Sequence, residues 1–190
     1  MQSQYKKYFN YLKERSYLGG CYRRFFLYPL INRYLTGCVL DLGCGIGDML
    51  NYRANTVGLD INPLNVEFCK KRKLNAYIME PDLIPFNDET FDSVLLDNVL
   101  EHIKSPVSLL KEIKRVLKPG GLLVIGVPGI KGFKSDEDHK VFYDEKMLHL
   151  LCKQNNFELN SYFYTPLCKS TLLSKCLRQY CIYTQWSKSN

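Results

Sequence analysis

The sequence lacks the patterns that mark membrane, secreted and zinc-binding proteins. No apolar run among its 190 residues approaches the roughly 20 residues of a membrane-spanning helix, and no early apolar segment has the length of a signal peptide. The eight cysteines include no CxxC pair and no histidine partner at zinc spacing. We therefore expect a cytoplasmic protein with reduced cysteines, and we expect no metal site.

Internal repeats and low-complexity linkers are also missing. A chain of 190 residues with 46% hydrophobic and 24% charged residues has the composition of an ordinary globular protein, and it is long enough to bury a full core. We therefore predict one domain over residues 1–190.

Positive charge is concentrated at the two ends of the chain. Residues 1–35 carry seven Lys or Arg and one Glu, and residues 153–190 carry five and one, whereas the segment between them has more acids than bases. Half of the fourteen tyrosines also lie in residues 1–35. Such a segment suits an anionic membrane surface or a phosphorylated substrate, but it also fits two helices with a packed aromatic face and a solvated basic face. Peripheral contact of residues 1–35 with an anionic membrane is one expectation.

The most informative stretch is VLDLGCGIGD, from Val39 to Asp48. An apolar run that ends in an acid and continues into alternate glycines predicts a buried parallel strand, a tight loop and a helix start. Glycine suits such a loop because no Cβ keeps the backbone away from a ligand. A second short strand ends at Asp60, 17 residues after Gly43, near the spacing at which a carboxylate reaches a ribose. The two segments together indicate a ligand that contains adenosine.

Strands and helices alternate in the middle of the chain. Apolar strands are predicted over 38–42, 56–61, 76–79, 91–96 and 122–127. The helical segments between them predict an α/β fold with an open, doubly wound, mostly parallel sheet and helices on both faces. Ligands of such sheets bind at the C-terminal ends of the strands. The acids expected at that edge are Asp41, Asp60, Glu80 or Asp82, and Asp97.

Further helices and one more strand are predicted on either side of this alternating segment. Residues 3–16 have the apolar spacing of an amphipathic helix that ends near Gly19 and Gly20. Residues 21–35 form a second helical stretch, and Pro29 either kinks it or begins its last part. Residues 129–138 are predicted as a polar loop. A helix over 167–177 and a strand over 180–186 complete the chain.

Two cofactors compete for the glycine loop. A dinucleotide prefers G-x-G-x-x-G with its pyrophosphate at the helix N-terminus, whereas the spacing here is G-x-G-x-G and Asp48 follows directly. S-adenosylmethionine has no phosphate, and it carries a sulfonium and an ammonium. Asp41 suits the ammonium and Asp60 suits the ribose hydroxyls. The excess of carboxylates therefore favours S-adenosylmethionine.

Five segments resemble the class I S-adenosylmethionine-dependent methyltransferases, in the small-molecule group with a VLDLGCGxG…VLEH…LKPGG pattern. They are VLDLGCGIG (39–47), GLD (58–60), IPF (84–86), FDSVLLDNVLEHI (91–103) and LKPGGLLVIGVP (117–128). The resemblance covers roughly residues 22–165 and implies a Rossmann-like sheet of seven strands with the last antiparallel. We divide the single domain into a helical lid or flank (1–35), a cofactor-binding core (36–165) and a C-terminal helix and strand (166–190).

The resemblance implies cofactor-binding residues at the ends of the first four strands: Asp41, Gly43, Cys44, Gly45, Asp60, Ile61, Glu80, Pro81, Asp82, Asp97 and Asn98. Within this set, Asp41 orients the amino-acid part of the cofactor and Asp60 holds the ribose. Glu80 falls where the family has an acid beside the adenine. Pro81 departs from the pattern because it has no N–H to offer the base, and Asp82 is the alternative. Asp97 and Asn98 lie by the methionine moiety and the transferred methyl.

Methyl transfer from a sulfonium is an in-line displacement, so alignment and desolvation supply much of the catalysis. A base is needed only if the acceptor loses a proton in that step. His139 is the candidate base, and an equally good interpretation is that it caps or packs the next helix. Tyr8 or Tyr11 closes over the cofactor if the first helix acts as a lid. Asp92, Glu101 and His102 also belong to the family pattern, and we interpret all three as structural.

The motifs do not specify the methyl acceptor. Nucleic-acid amino methyltransferases usually have an acid or Asn, two prolines and an aromatic after the fourth strand, and residues 97–100 lack this pattern. We therefore expect transfer to an oxygen or nitrogen of a small molecule related to glycans, lipids or quinones, with S-adenosylhomocysteine as product. Two alternatives stay open: a protein of this fold without turnover, and an RNA or protein methyltransferase. The oligomeric state does not follow from the sequence.

Overall fold

The computed structural model describes residues 2–189, which contain a seven-stranded sheet. The strands are β1 Val39–Leu42, β2 Thr56–Asp60, β3 Ala76–Ile78, β4 Phe91–Asp97, β5 Leu117–Pro128, β6 Phe157–Thr165 and β7 Cys181–Lys188. Their order in the sheet is β3-β2-β1-β4-β5-β7-β6. Neighbours among β1 to β5 are parallel, and β7 runs antiparallel to both β5 and β6. The predicted sheet with an antiparallel last strand is confirmed.

Helices connect the strands and precede the sheet. They are α1 Gln2–Lys13, α2 Tyr17–Tyr22, α3 Tyr28–Asn32, α4 Asp48–Tyr52, α5 Pro63–Lys71, α6 Val107–Val116, α7 Ile130–Lys134, α8 Glu145–Gln154 and α9 Thr171–Cys176. A π-helical turn links α2 to α3, and a 3₁₀ turn follows β4. Within residues 2–189, no helix has both the length and the apolar character needed to cross a bilayer.

The core lies on both faces of the sheet. Successive strand residues point to opposite faces, so Val94 and Leu96 of β4 join one buried cluster while Leu95 joins the other. The first cluster contains the apolar sides of α6 and α8, and the second contains residues of α3 and α4. This arrangement confirms the prediction of helices on both faces.

The N-terminal helices differ from the prediction in where they break. Gly19 and Gly20 do not end the first helix but lie inside α2. The break falls after Lys13 because Ser16 starts a new helix: its hydroxyl accepts the Gly19 N–H at 3.2 Å. Of the two alternatives for Pro29, the structure shows that it begins the last part of the stretch: Pro29 lies in the first turn of α3, after the π-helical turn over Arg23–Leu27, where a residue without an N–H is tolerated.

The KPGG run (118–121) forms a bulge within β5, since Phe91 pairs with Leu117 while Ser93 pairs with Leu122. Two other segments differ from the prediction. The segment predicted as a polar loop over 129–138 contains the short helix α7. The helix predicted over 167–177 is shorter, because Ser170 caps it through the Leu173 N–H.

Candidate functional site

A cavity of about 650 Å³ lies at the C-terminal ends of β1, β2 and β4, with α1 forming part of its wall. It lies where the chain connections diverge to the two sides of β1, which is where ligands bind in doubly wound sheets. Ten of the predicted cofactor residues line it: Asp41, Gly43, Cys44, Gly45, Asp60, Ile61, Pro81, Asp82, Asp97 and Asn98. Glu80 is outside the lining; it is exposed, and its backbone pairs with Leu83.

The glycine loop after β1 requires glycine at two of its lining positions. Gly43 has φ +74° and Gly45 has φ +54°, in the left-handed region that disfavours other residues. A Cβ on Gly43 would lie 2.5 Å from Val99 Cγ2, and one on Gly45 would lie 3.1 Å from Leu12 Cδ1. The loop is therefore pressed between the segment after β4 and the helix α1.

Asp60 is held rigidly at the end of β2. Its Oδ1 accepts the Asn62 N–H at 2.8 Å, and its Oδ2 accepts the Gly45 N–H at 2.8 Å and the Asn65 amide at 3.1 Å. Burial raises the pKa of this carboxyl, while these three donors act to lower it. A rigidly held carboxylate in the cavity wall is the arrangement expected of a residue that binds the hydroxyls of a ribose.

Asp41 is a buried cavity carboxylate that accepts no hydrogen bond from any side chain or backbone group of residues 2–189. Burial raises its pKa well above the usual range, and the neighbouring carboxylates Asp97 and Asp60 raise it further. A cation placed in the cavity would relieve both effects. The ammonium and sulfonium of S-adenosylmethionine fit this requirement.

Asp97, at the end of β4, is oriented by two donors. Its Oδ1 accepts the hydroxyl of Tyr183 at 2.7 Å and the side-chain amide of Asn98 at 2.8 Å. Tyr183 belongs to β7, so the antiparallel strand positions a residue of the cavity wall. The contact of Cys181 Sγ with Asn98 Oδ1 at 3.7 Å adds a second link from the same strand.

Basic residues of the cavity wall were not predicted as site residues. Arg15 pairs with Asp48 at 3.1 Å, and this pair links the segment after α1 to the helix that follows the glycine loop. Arg23 lies in the π-helical turn; burial acts to lower its pKa, but Tyr28 and Asp97 nearby outweigh burial and raise it. The sequence shows these residues only as part of a basic segment, since nothing in their spacing indicates which of them face inward.

The helix α1 forms part of the cavity wall. Tyr8 lines the cavity, and burial raises its pKa to about 12. The carbonyl of Tyr5 accepts the side-chain amide of Asn62 at 3.0 Å, which fastens the helix to the end of β2. Tyr11 is outside the lining, and its hydroxyl accepts a hydrogen bond from Arg178 at 2.8 Å.

His139 does not line the cavity, whereas His102 does. The two rings are edge to face with centroids 4.7 Å apart, so His139 lies behind His102. Glu101 beside them is buried, and burial raises its pKa to about 8. Asp92, in contrast, has the structural role we expected, since it accepts the Cys38 N–H and the Lys118 ammonium, both at 2.8 Å.

Comparison with known proteins agrees with this geometry. A family model described as a methyltransferase domain matches residues 40–125. An uncharacterised protein of Methanocaldococcus jannaschii is 38% identical over 128 residues, which are 65% of this chain and 54% of that protein. A Homo sapiens protein named as a probable tRNA methyltransferase is 27% identical over 165 residues, covering 75% of this chain and 35% of its own length. The chain thus spans about half the length of the curated relatives it matches first.

A solved structure from Thermotoga maritima has the same fold over its whole length. It is described as an S-adenosylmethionine-dependent methyltransferase and a possible histamine N-methyltransferase, and it superposes with a TM-score of 0.79 at 18% identity over 100% of both chains. Residues 40–125 therefore match a methyltransferase-domain family model, and the chain shares its fold with a solved S-adenosylmethionine-dependent methyltransferase, in agreement with the family resemblance of the sequence.

Proposed function

We propose that the protein transfers the methyl group of S-adenosylmethionine to an oxygen or nitrogen atom of a small molecule. The observation that carries the proposal is Asp41, a buried carboxylate that lines the cavity and has no donor among residues 2–189. A cationic cofactor supplies the missing partner. Asp60 beside it offers the fixed acceptor that a ribose hydroxyl needs.

The cofactor's carboxylate needs a cation, and we assign that role to Arg23. Its guanidinium lies in the cavity wall next to Asp97, at the end of β4 where the methionine moiety is expected. Guanidinium groups bind carboxylates with two parallel hydrogen bonds. An Arg23→Lys variant keeps the charge and loses this geometry, so we expect weaker binding of the cofactor with an unchanged fold.

The size and wall of the cavity favour a small acceptor. Its volume falls within the range of small-molecule sites, and α1 covers one side of it. Beyond Asn98 the wall has both apolar and polar members: Val99, Ile103 and Leu109 are apolar, whereas His102, Lys104, Asp138 and Lys140 are polar or charged. An acceptor with an apolar part and a hydroxyl or amine suits that wall.

The experiment for this proposal follows the label from methyl-tritiated S-adenosylmethionine. The protein is incubated with a small-molecule extract and, separately, with bulk tRNA and with protein. We expect label in the small-molecule fraction, and no transfer by an Asp60→Ala variant. Label in tRNA or protein would establish the alternative acceptor class. Cofactor binding without transfer to any of the three would favour the alternative of a protein without turnover.

We also propose that the N-terminal segment touches an anionic membrane. Within the basic residues 1–35, Tyr17, Leu18 and Phe25 expose 85%, 78% and 73% of their surface. Exposed apolar side chains on a positively charged segment suit the surface of an anionic bilayer. We expect sedimentation with phosphatidylserine vesicles that falls with salt and with a Leu18→Ser/Phe25→Ser double variant. Equal binding to zwitterionic vesicles, or none to either, would reject the contact.

A further inference from the structure

Glu101, His102 and His139 form a cluster beside the cavity. One potential metal-ligand atom of each residue lies within 4.8 Å of the other two. The turn over Leu100–His102 after β4 supplies two of them, and the segment before α8 supplies the third. His139 follows His102 by 37 residues, so no short spacing in the sequence indicates the cluster.

The carboxylate of Glu101 lacks partners. Both of its oxygens are buried, and neither accepts a hydrogen bond within residues 2–189. The nearest nitrogen of a basic side chain is His139 Nε2, 3.7 Å from Oε1. A buried carboxylate in this state is costly unless a proton or a cation compensates it.

Hydrogen bonds to backbone carbonyls fix which nitrogen of each imidazole carries a hydrogen. His139 Nδ1 lies 2.8 Å from the carbonyl oxygen of Phe133, and His102 Nδ1 lies 3.3 Å from that of Asp138. A carbonyl can only accept, so each Nδ1 carries the hydrogen and each neutral ring keeps a lone pair on Nε2. When the ring is neutral and the carboxylate is ionised, His139 Nε2 and Glu101 Oε1 face each other as two acceptors, and a bound cation would satisfy both. A backbone carbonyl that fixes the tautomer in this way is the usual support of a metal-binding histidine.

We propose that Glu101, His102 and His139 bind a divalent transition-metal cation of the zinc type. Two imidazole nitrogens and one carboxylate are a ligand set that Zn²⁺ accepts, and it leaves a coordination position free. Two ligands at tetrahedral zinc are roughly 3.4 Å apart, close to the 3.7 Å between His139 Nε2 and Glu101 Oε1. His102 connects the cluster to the cavity wall.

The role of this cation rests on the proposed function. An acceptor hydroxyl beside the cation would release its proton to solvent more readily, because the positive charge stabilises the oxyanion. That oxygen then forms a bond to the methyl carbon, and the carbon–sulfur bonding pair stays on the sulfur to give S-adenosylhomocysteine. In this scheme His139 is a cation ligand, and no side chain has to act as the base.

The test measures cation binding directly, on the full chain after treatment with a chelator. Co²⁺ is titrated and followed by visible absorbance, and Zn²⁺ by calorimetry. We expect one equivalent bound by the parent, and at least a tenfold loss of affinity in His102→Ala, His139→Ala and Glu101→Gln. His149→Ala is the matched control, since it removes the third histidine of the chain, which lies exposed on α8. It should bind like the parent.

Several outcomes would overturn the site. They are no binding of either cation by the parent, equal binding in the three variants, or a thiolate-to-cobalt charge-transfer band that assigns the cation to cysteine. Circular dichroism checks that each variant folds. If one of the three variants does not fold, His102→Gln is measured in its place. Calorimetry with S-adenosylmethionine on the same samples separates the two proposals. A parent that binds the cofactor but no cation overturns only the cation site, whereas a folded parent that does not bind the cofactor overturns the proposed function.

Discussion

Asp60 Oδ2 accepts the backbone N–H of Gly45 at 2.8 Å, so the end of β2 is tied to the glycine loop that follows β1. An ionised carboxylate has about four acceptor sites, and Asp60 uses three of them within the protein. One site remains for a ribose hydroxyl. The carboxylate therefore shapes the loop as well as offering a contact to the ligand.

Asp60→Ala should weaken both binding and folding. Three donors lose their acceptor, which we expect to cost about 1–3 kcal/mol of unfolding free energy, and affinity for S-adenosylmethionine should fall at least tenfold. Urea unfolding and calorimetry measure the two effects. Glu67→Ala is the control, because its carboxylate is exposed and pairs only with Lys71. Binding by Asp60→Ala as tight as that of the parent would reject the ribose assignment.

Asp41→Asn should weaken cofactor binding but stabilise the fold. The pKa of Asp41 is raised in the folded protein, so the folded state holds the proton more tightly than the unfolded state, and the parent loses stability as pH rises above the unfolded value of about 4. Asparagine removes that loss. We expect the stability advantage of the variant to grow between pH 4 and 8, while affinity falls about 10–100-fold. Urea unfolding at several pH values tests the first effect, and an advantage that shrinks with pH would contradict it.

Two glycines make a matched pair for backbone strain. Gly43→Ala places a Cβ at positive φ, 2.5 Å from Val99 Cγ2, and should cost about 2 kcal/mol or more. Gly20→Ala adds a Cβ in α2 with nothing within 4 Å, and should stabilise by about 0.5–1 kcal/mol. Thermal and urea unfolding measure both. Equal changes in unfolding free energy for the two substitutions would contradict this expectation, because they would show that a side chain at residue 43 does not strain the loop.

Tyr183→Phe isolates the hydrogen bond to Asp97. The ring stacks on Phe163 with centroids 4.7 Å apart, and phenylalanine keeps that contact while removing the donor at 2.7 Å. We expect the unfolding free energy to fall by about 1–2 kcal/mol and cofactor affinity to fall several-fold. Tyr34→Phe is the control, because Tyr34 stacks on the other side of Phe163 and its hydroxyl has no partner within residues 2–189. An equal change in both variants would contradict a role for the Asp97 contact.

The sequence predicted the cavity carboxylates because each ends a strand or starts a loop with a local signature. Asp41 follows a buried run and precedes glycines, and Asp60 closes the next strand. Parallel strands bring such ends to one edge of the sheet. The position of each acid at the end of its strand was therefore enough to predict that it lines the cavity. The same reasoning could not find Arg23, since its inward direction depends on a π-helical turn that has no sequence signature.

The histidine cluster was beyond the reach of the sequence for a related reason. Glu101 and His102 were interpreted as structural, and His139 was considered alone. Only the tertiary fold places His139 behind His102 and buries Glu101 between their segments.

The break between α1 and α2 differs from the prediction for a local reason. The hydroxyl of Ser16 caps α2, and this cap determines where the new helix begins more strongly than Gly19 and Gly20 determine where the first one ends.

Calorimetry with S-adenosylmethionine and S-adenosylhomocysteine tests the central claim most directly. If the buried carboxylate Asp41 and the anchored Asp60 form a cofactor site, the folded protein binds one molecule of either ligand with micromolar affinity, and Asp41→Asn binds both ligands more weakly than the parent does, because both carry the ammonium assigned to Asp41. Absence of heat with both ligands, from protein whose circular dichroism shows it folded, would contradict the account.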